Sequence, residues 1–90
     1  MIVIPTPEFN KSAKKLTDII AKKRLKNLII KLKKANSLRE ISNVVPIINY
    51  PEWYRIRTGD YRLFVRYKDG EIKILLLEYS KRDEKTYRNY

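Results

Sequence analysis

The chain has 90 residues, of which 21 are Lys or Arg and 10 are Asp or Glu, so its net charge is +11. This length fits one small domain, residues 1–90, and excludes two. Because the chain has no Cys and no His, disulfides and thiolate metal sites are excluded, and any catalysis must use Arg, Lys, Tyr or carboxylates. The positive charge predicts a polyanionic partner, nucleic acid before an anionic membrane.

Nothing in the sequence predicts a membrane segment or a bound cofactor. The longest apolar runs, such as Ile74–Leu77, have about four residues, far fewer than the roughly 20 that span a bilayer. The N-terminus lacks a signal-peptide pattern, and there is no Walker loop, Gly-rich phosphate loop, acidic cluster or metal-ligand spacing. We therefore expect a cytoplasmic protein without cofactor or metal.

The first part of the chain predicts one strand and two helices. Ile2–Pro5 is a β-branched run closed by proline, which is typical of an edge strand. Thr6-Pro7 suits a helix start, and the apolar period extends this helix over roughly residues 7–16. Thr17-Asp18 offers a cap for a second, longer helix to about Lys34, which is either separate from the first helix or continuous with it. Each lysine on these helices is as easily solvated as bound, but together they favour contact with phosphates.

The middle of the chain is less regular. Ser37 and Glu40 have the spacing of a capping box, which predicts a short helical turn that ends before Pro46. The segment Val44–Tyr50 is either irregular or a weak strand.

The stretch Tyr54–Arg62 predicts a hairpin closed by Gly59-Asp60 in a type II′ turn. In this register Thr58 pairs with Tyr61, and Arg57 faces Arg62. Like charges that are directly opposite in an antiparallel pair destabilise it, so this pair predicts an anionic ligand. The alternative is a basic sheet surface that is simply solvated.

Alternation along these strands separates an apolar side from a cationic one. The apolar side carries Tyr54, Ile56, Tyr61, Leu63, Val65 and Tyr67. The other side, here called the arginine face, carries Arg55, Arg57, Arg62 and Arg66.

A second hairpin is predicted at Asp69-Gly70, with Lys68 paired with Glu71 and a returning strand over 71–79. This register pairs Tyr67 with Ile72, Val65 with Ile74 and Leu63 with Leu76 on the apolar side. It pairs Arg66 with Lys73, Phe64 with Leu75 and Arg62 with Leu77 on the arginine face. The apolar residues there require cover by the C-terminal segment or by a partner. Residues 80–90 fit a short helix, an extended arm or a disordered tail.

The stretch Tyr54–Leu63, the returning strand after Asp69-Gly70 and the ending Lys81-Arg82 with Tyr87-Arg88 resemble the RelE/ParE superfamily of toxin–antitoxin toxins. The resemblance implies an α+β fold of β-α-α-β-β-β order. In that fold a short N-terminal strand and a two-helix hairpin pack on one face of an antiparallel twisted sheet, followed by a short C-terminal segment.

The resemblance also implies a function. In the RelE branch the toxin is a metal-independent, ribosome-dependent mRNA endoribonuclease (mRNA interferase) that inhibits translation, and the RNA's own 2′-hydroxyl attacks to leave a cyclic phosphate. Its partners would be a cognate antitoxin and mRNA in the ribosomal A site, with rRNA contacts through the Lys-rich helices. The alternatives are a ParE-like DNA gyrase inhibitor and a non-catalytic RNA-binding module.

The implied site has two groups of residues. Arg62 matches the arginine that stabilises the scissile phosphate, Arg82 the one that assists the leaving oxygen, and Tyr87 the tyrosine that orients the nucleotide; Arg57 completes the expected catalytic residues. Substrate binding is expected of Arg55, Lys81, Arg66 and Tyr79. Arg55 and Arg57 match positions held by lysine in well-known members, and a guanidinium is a poor general base. Proton abstraction is therefore unassigned, with Lys81 or Tyr87 as candidates.

Overall fold

The structure, a computed structural model, describes residues 1–81. Within this part the chain forms five strands, two helices and one 3₁₀ turn. They are β1 Ile2–Pro5, α1 Pro7–Lys14, α2 Ile19–Lys34, the 3₁₀ turn Leu38–Glu40, β2 Val44–Pro46, β3 Trp53–Thr58, β4 Tyr61–Arg66 and β5 Lys73–Lys81. The weak strand that was one of the two predictions for Val44–Tyr50 is present as the three-residue β2. Helix α1 ends two residues before its predicted limit.

Both helices begin at the predicted caps. The hydroxyl of Thr6 accepts a hydrogen bond from the Phe9 amide at 3.2 Å and donates one to the Leu76 carbonyl at 2.7 Å. The Asp18 carboxylate accepts from the Ala21 amide at 3.1 Å. These bonds satisfy amides that a helix start leaves without an intrahelical partner, and Thr6 also ties α1 to β5.

The five strands form one sheet in the order β1-β5-β4-β3-β2. β1 lies at an edge, as predicted, and pairs parallel with β5, whereas the other neighbours are antiparallel. The sheet is thus mixed rather than antiparallel throughout, because β1 pairs with β5 only after a long connection through both helices and the other three strands. The α+β fold of one strand, two helices and then further strands is confirmed.

The core lies between the helices and one face of the sheet. The apolar stripe of α2 is buried, with Leu32 at 0% exposure, and it packs in one cluster with Ile56, Leu63 and Val65. This is the apolar side predicted from alternation, and Tyr54 and Tyr61 pack at its border. The core therefore leaves the arginine face on the other side of the sheet. No helix in the described part of the chain is long and apolar enough to cross a bilayer.

The first hairpin has the predicted register. Thr58 pairs with Tyr61 and Arg57 with Arg62. Gly59 has φ +61°, a left-handed value that a type II′ turn requires at this position and that glycine adopts without steric cost.

The predicted register of the second hairpin is wrong. Arg66 pairs with Leu75 and Val65 with Leu76, two residues later along β5 than expected. A slide of two residues keeps every side chain on its face, so the apolar alternation did not reveal it. The predicted turn exists locally, since the Glu71 amide donates to the Lys68 carbonyl at 3.0 Å, but β5 begins only at Lys73.

A β-bulge then shifts the register once more. Val65 pairs with Leu76 but Phe64 pairs with Glu78, which leaves Leu77 as the extra residue. The residues after a bulge change faces relative to simple alternation. Leu76 and Tyr79 are both in the core, at 1% and 2% exposure, although an unbroken strand would place residues three apart on opposite sides. Glu78 and Ser80 therefore lie on the arginine face.

Candidate functional site

The arginine face is organised in rows of paired residues beside the β3–β4 turn. Each row crosses β3, β4 and β5: Arg57–Arg62–Ser80 nearer the turn, and Arg55–Phe64–Glu78 next to it. Directly opposed residues have Cβ atoms roughly 4.5–5.5 Å apart. The two facing arginines are thus neighbours in the structure, as predicted.

The two arginines of the first row differ in burial. Arg62 is 5% exposed and is the buried charged residue of the described part, whereas Arg57 is exposed. Phe64 is 1% exposed but lies outside the core cluster between the helices and the sheet. The arginine face therefore has a buried centre of its own, formed by Phe64 and the aliphatic stem of Arg62, with Arg57 at its border.

Arg66 stands apart from this row. Its guanidinium lies 3.4 Å from a carboxylate oxygen of Glu52, with the Arg66 side chain 54% exposed. Exposed ion pairs of this kind contribute little stability, but the pair does place a negative charge beside Arg66. Arg66 also lies at the opposite end of β4 from Arg62. Arg66, which was predicted to bind substrate, therefore lies away from the row of Arg57 and Arg62.

Ser80 completes the first row with a polar atom that has no partner. In the described residues, the buried side-chain polar atom without a hydrogen bond is Ser80 Oγ. Such atoms are uncommon in folded proteins and call for an explanation, because leaving one unsatisfied is costly. Ser80 is paired with Arg62 across the strands. A ligand oxygen bound at this row would satisfy the Ser80 hydroxyl and lie beside Arg62.

Glu78 and Ser80 were missed as site residues in the sequence. Simple alternation from Ile74 and Leu76 places Glu78 on the helix side, and only the bulge at Leu77 brings it to the arginine face. The sequence signal that could have placed Glu78 on the arginine face is its charge, because a glutamate on the apolar side would be a buried carboxylate, which is costly.

Tyr79 does not fit the substrate-contacting role that we expected. It is 2% exposed on the helix side, and its hydroxyl donates to the Ala21 carbonyl at 3.2 Å and accepts from Thr58 Oγ1 at 3.0 Å. Its ring stacks on Tyr61 with centroids 5.0 Å apart. Burial raises the pKa of Tyr79, and the hydrogen bond from Thr58 partly opposes this rise. Tyr79 is thus a structural link between α2 and the β3–β4 turn.

The remaining predicted residues lie at or beyond the end of β5. Lys81 is exposed and pairs with Tyr61, whose side chain faces the helices. The strand therefore does not bring Lys81 into the arginine rows. Arg82 and Tyr87 lie outside the described residues.

A basic groove of about 630 Å³ runs between α2 and the end of β3. Its cationic lining residues are Arg24, Lys31, Lys34 and Arg57. The Arg24 guanidinium lies over Gly59, so close that a Cβ added there would overlap it. Because Arg57 belongs to both, the groove continues the arginine face around the edge of the sheet toward the lysine-rich helix.

A second, apolar groove of about 430 Å³ lies on the helices. Phe9, Leu16 and Leu25 contribute to its lining together with Ile29 and Ile30. Three lysines also line it: Lys22, Lys26 and Lys33. An apolar groove between basic side chains suits an amphipathic segment with acidic residues.

Comparison with known proteins identifies the family. The model of the family described as "ParE toxin of type II toxin-antitoxin system, parDE" matches residues 3–84. No curated protein matches the chain significantly.

Solved structures share the whole fold. The RelB–RelE antitoxin–toxin complex from Methanococcus jannaschii contains a chain 24% identical, with TM-score 0.77 and coverage of 97% of this chain and 98% of that one. A chain of the RelE–RelB complex from Pyrococcus horikoshii OT3 is 21% identical, with TM-score 0.71 and coverage of 92% of this chain and 96% of that one. The isolated E. coli RelE toxin is 15% identical, with TM-score 0.68 and coverage of 98% of this chain and 92% of that one.

At these identities the structures establish a common fold, while the family match extends over nearly the entire sequence. The family model is named for ParE, and these structures are named for RelE. Both findings therefore agree on the superfamily that contains the two kinds of toxin. The chain belongs to the RelE/ParE superfamily of toxins from type II toxin–antitoxin systems.

Proposed function

We propose that this toxin is a ribosome-dependent mRNA endoribonuclease that inhibits translation in the cytoplasm. The observation that supports it is the row Arg57–Arg62–Ser80, in which two arginines paired across the strands adjoin a buried hydroxyl without a partner. A phosphodiester relieves both costs, because its oxygens accept charge-assisted hydrogen bonds from arginine and a further one from serine.

The chemistry suited to this row is attack by the ribose 2′-hydroxyl on the adjacent phosphorus. Negative charge builds up on the phosphate oxygens in the transition state, and donors fixed in advance stabilise it without reorganisation. Burial fixes the Arg62 side chain, whereas the exposed Arg57 approaches from solvent. Arg55 lies in the neighbouring row and would bind the flanking nucleotide. The roles of Arg82 and Tyr87 remain predictions from the family resemblance.

Ribosome binding is proposed for the lysine-rich helices and the basic groove. The groove joins α2 to Arg57, so one continuous cationic surface would contact rRNA and guide mRNA to the arginine face. Phosphate contacts of this kind provide affinity without sequence selectivity.

The proposed protein partner is a cognate antitoxin. RelE chains are solved in complex with RelB in the structures from M. jannaschii and P. horikoshii. In this toxin the apolar groove of α1 and α2, with its flanking lysines, would receive an acidic amphipathic segment of the antitoxin.

The proposed activity is tested by expression in cells with mapping of mRNA 5′ ends. The wild type is expected to produce new ends within translated codons, and Arg62→Ala is expected to produce few. Arg39→Ala is the matched control, because Arg39 is an exposed arginine paired with Asp69 at 3.0 Å, away from the row.

A second candidate is inhibition of DNA gyrase, which the match to a ParE family model favours. The same cultures distinguish the two activities. Gyrase–DNA breaks without mRNA cuts would establish the ParE-like activity and overturn the endoribonuclease. RNA binding with neither effect would identify a non-catalytic module.

A further inference from the structure

The proposed cleavage needs a group that takes a proton from the attacking hydroxyl. Arginine remains protonated in proteins and cannot accept one. On the described part of the arginine face, the strands offer four arginines, one lysine, Lys73, and one carboxylate, Glu78. Lys73 lies at the start of β5, beyond the pair of Arg66 and Leu75, and is therefore far from the row of Arg62. We infer that Glu78 is the general base of this toxin, an inference that rests on the proposed function.

The bulge at Leu77 is what places Glu78 there. Leu76 and Tyr79 are both buried on the helix side, so the strand must gain a residue between them. Glu78 then pairs with Phe64, while Ser80 pairs with Arg62. Glu78 is therefore the diagonal neighbour of Arg62, at roughly 7–8 Å between Cα atoms, a separation that long side chains cross.

The surroundings of Glu78 suit a proton acceptor beside a phosphate. Arg62 lies diagonally beside it on β4, and Arg55 lies in the same row on β3, with Phe64 between Arg55 and Glu78. Arg57 and Arg66 lie further along the same face, whereas β1 carries no charged residue. Glu78 is half-buried, and so is Ser80, whose hydroxyl lacks a partner. A phosphodiester bound between Arg62 and Ser80 would bring its neighbouring ribose toward Glu78.

The Glu78 carboxylate accepts the proton of the 2′-hydroxyl while the 2′-oxygen forms a bond to phosphorus. The bond from phosphorus to the 5′-oxygen breaks, and this oxygen takes a proton from water. The hydroxide that remains takes the proton from Glu78. The products are a 2′,3′-cyclic phosphate and a 5′-hydroxyl, with no net gain or loss of protons.

A purely structural role for Glu78, as a counter-charge for the arginines, predicts different kinetics. Removing a counter-charge lowers stability but leaves the dependence of the chemical step on pH unchanged. Removing a general base lowers the rate of that step by roughly 10²–10⁴-fold and abolishes its acidic limb.

The test measures single-turnover cleavage of ribosome-bound mRNA between pH 4 and 8, a range that includes the ordinary glutamate pKa of about 4.3. For Glu78→Gln we expect a loss of at least about 100-fold, no acidic limb, and ribosome binding equal to wild type by co-sedimentation. Glu71→Gln, a half-buried glutamate in the β4–β5 turn, is the matched control and should cleave as wild type. If Glu78→Gln cleaves at the wild-type rate with the wild-type pH dependence, the inference is overturned while the proposed function stands.

A second variant covers the case in which Glu78→Gln does not fold. Glu78→Ala should regain cleavage when formate is added, because a small carboxylate occupies the vacated space, and Glu71→Ala should not respond. Cleavage by a folded Glu78→Ala that does not respond to formate would also overturn the inference. Absence of cleavage by the wild type would instead overturn the proposed function itself.

Discussion

Arg57 and Arg62 face each other across β3 and β4, one residue pair from the turn at Gly59. The hydrophobic core contributes nothing to this arrangement, because both side chains lie on the opposite face of the sheet. Facing like charges destabilise an antiparallel pair. Taken by itself the pair is therefore unfavourable, and a phosphate bound between the two arginines would make it favourable.

Replacing Arg57 should therefore stabilise the free protein. We expect Arg57→Thr to raise the free energy of unfolding by roughly 0.2–1 kcal/mol, because it removes the repulsion and introduces a residue that favours strands. Urea denaturation measures the change. Arg66→Thr is the control: Arg66 lies opposite Trp53 and contacts Glu52, so no gain is expected. A loss of stability in Arg57→Thr would contradict this account of the pair.

Tyr79 should matter for stability and not for chemistry. Tyr79→Phe removes the hydroxyl that bonds Ala21 and Thr58, and leaving these groups unsatisfied costs about 1–3 kcal/mol. Cleavage per folded molecule should equal that of the wild type. A variant that is stable but inactive would restore Tyr79 to the substrate site.

The same tyrosine predicts a loss of stability at alkaline pH. Burial raises the pKa of Tyr79 above 10.0, the ordinary value for tyrosine, so the folded state retains this proton at a pH where the unfolded chain releases it. The stabilisation is fully present below pH 10 and is lost as the pH rises through the raised pKa. Thermal unfolding measured from pH 8 to 11 should decline less steeply for Tyr79→Phe than for the wild type.

A side chain at Gly59 should destabilise the fold, chiefly because of the backbone conformation at this position. With φ at +61°, Gly59→Ala is expected to cost about 1–3 kcal/mol. The added Cβ also meets the Arg24 guanidinium, but that group ends a flexible chain and can move aside. The cost should thus be nearly equal in wild-type and Arg24→Ala backgrounds, as measured by a double-mutant cycle. Strong coupling would show that the contact with Arg24, and not the backbone φ, determines the cost of the substitution.

The apolar groove should discriminate between two exposed isoleucines of α2. Ile30 lines the groove at 40% exposure, whereas Ile19 lies outside it at 68%. Ile30→Glu should weaken antitoxin binding at least tenfold, about 1.4 kcal/mol, and Ile19→Glu should not. Isothermal titration with the antitoxin encoded beside the toxin gene provides the measurement. Equal affinities would place the antitoxin elsewhere.

The sequence predicted most of the fold because several local signals agreed. Thr6 and Asp18 capped the two helices, Gly59-Asp60 closed the first hairpin, and the alternation from Tyr54 to Tyr67 separated core from arginine face. Each signal involves residues that are close along the chain, so local chemistry was sufficient.

The β4–β5 pairing could not be predicted in the same way. A slide of two residues leaves every face unchanged, and in the apolar run Leu75–Leu77 any residue fits either side. Only burial of Tyr79 against the helices, a contact distant in sequence, fixes the bulge. For this reason Glu78 and Ser80 were missed and Tyr79 was placed at the wrong site.

The measurement that tests the account most directly is cleavage of ribosome-bound mRNA by the purified protein. We expect the wild type and Arg39→Ala to cut equally and to leave 2′,3′-cyclic phosphate ends. Arg62→Ala, shown by its melting curve to be folded, should be slower by about 10²–10³-fold, the usual effect of losing one transition-state donor. Equal cleavage by Arg62→Ala, or no cleavage by the wild type, would contradict the assignment of the arginine face to phosphate chemistry.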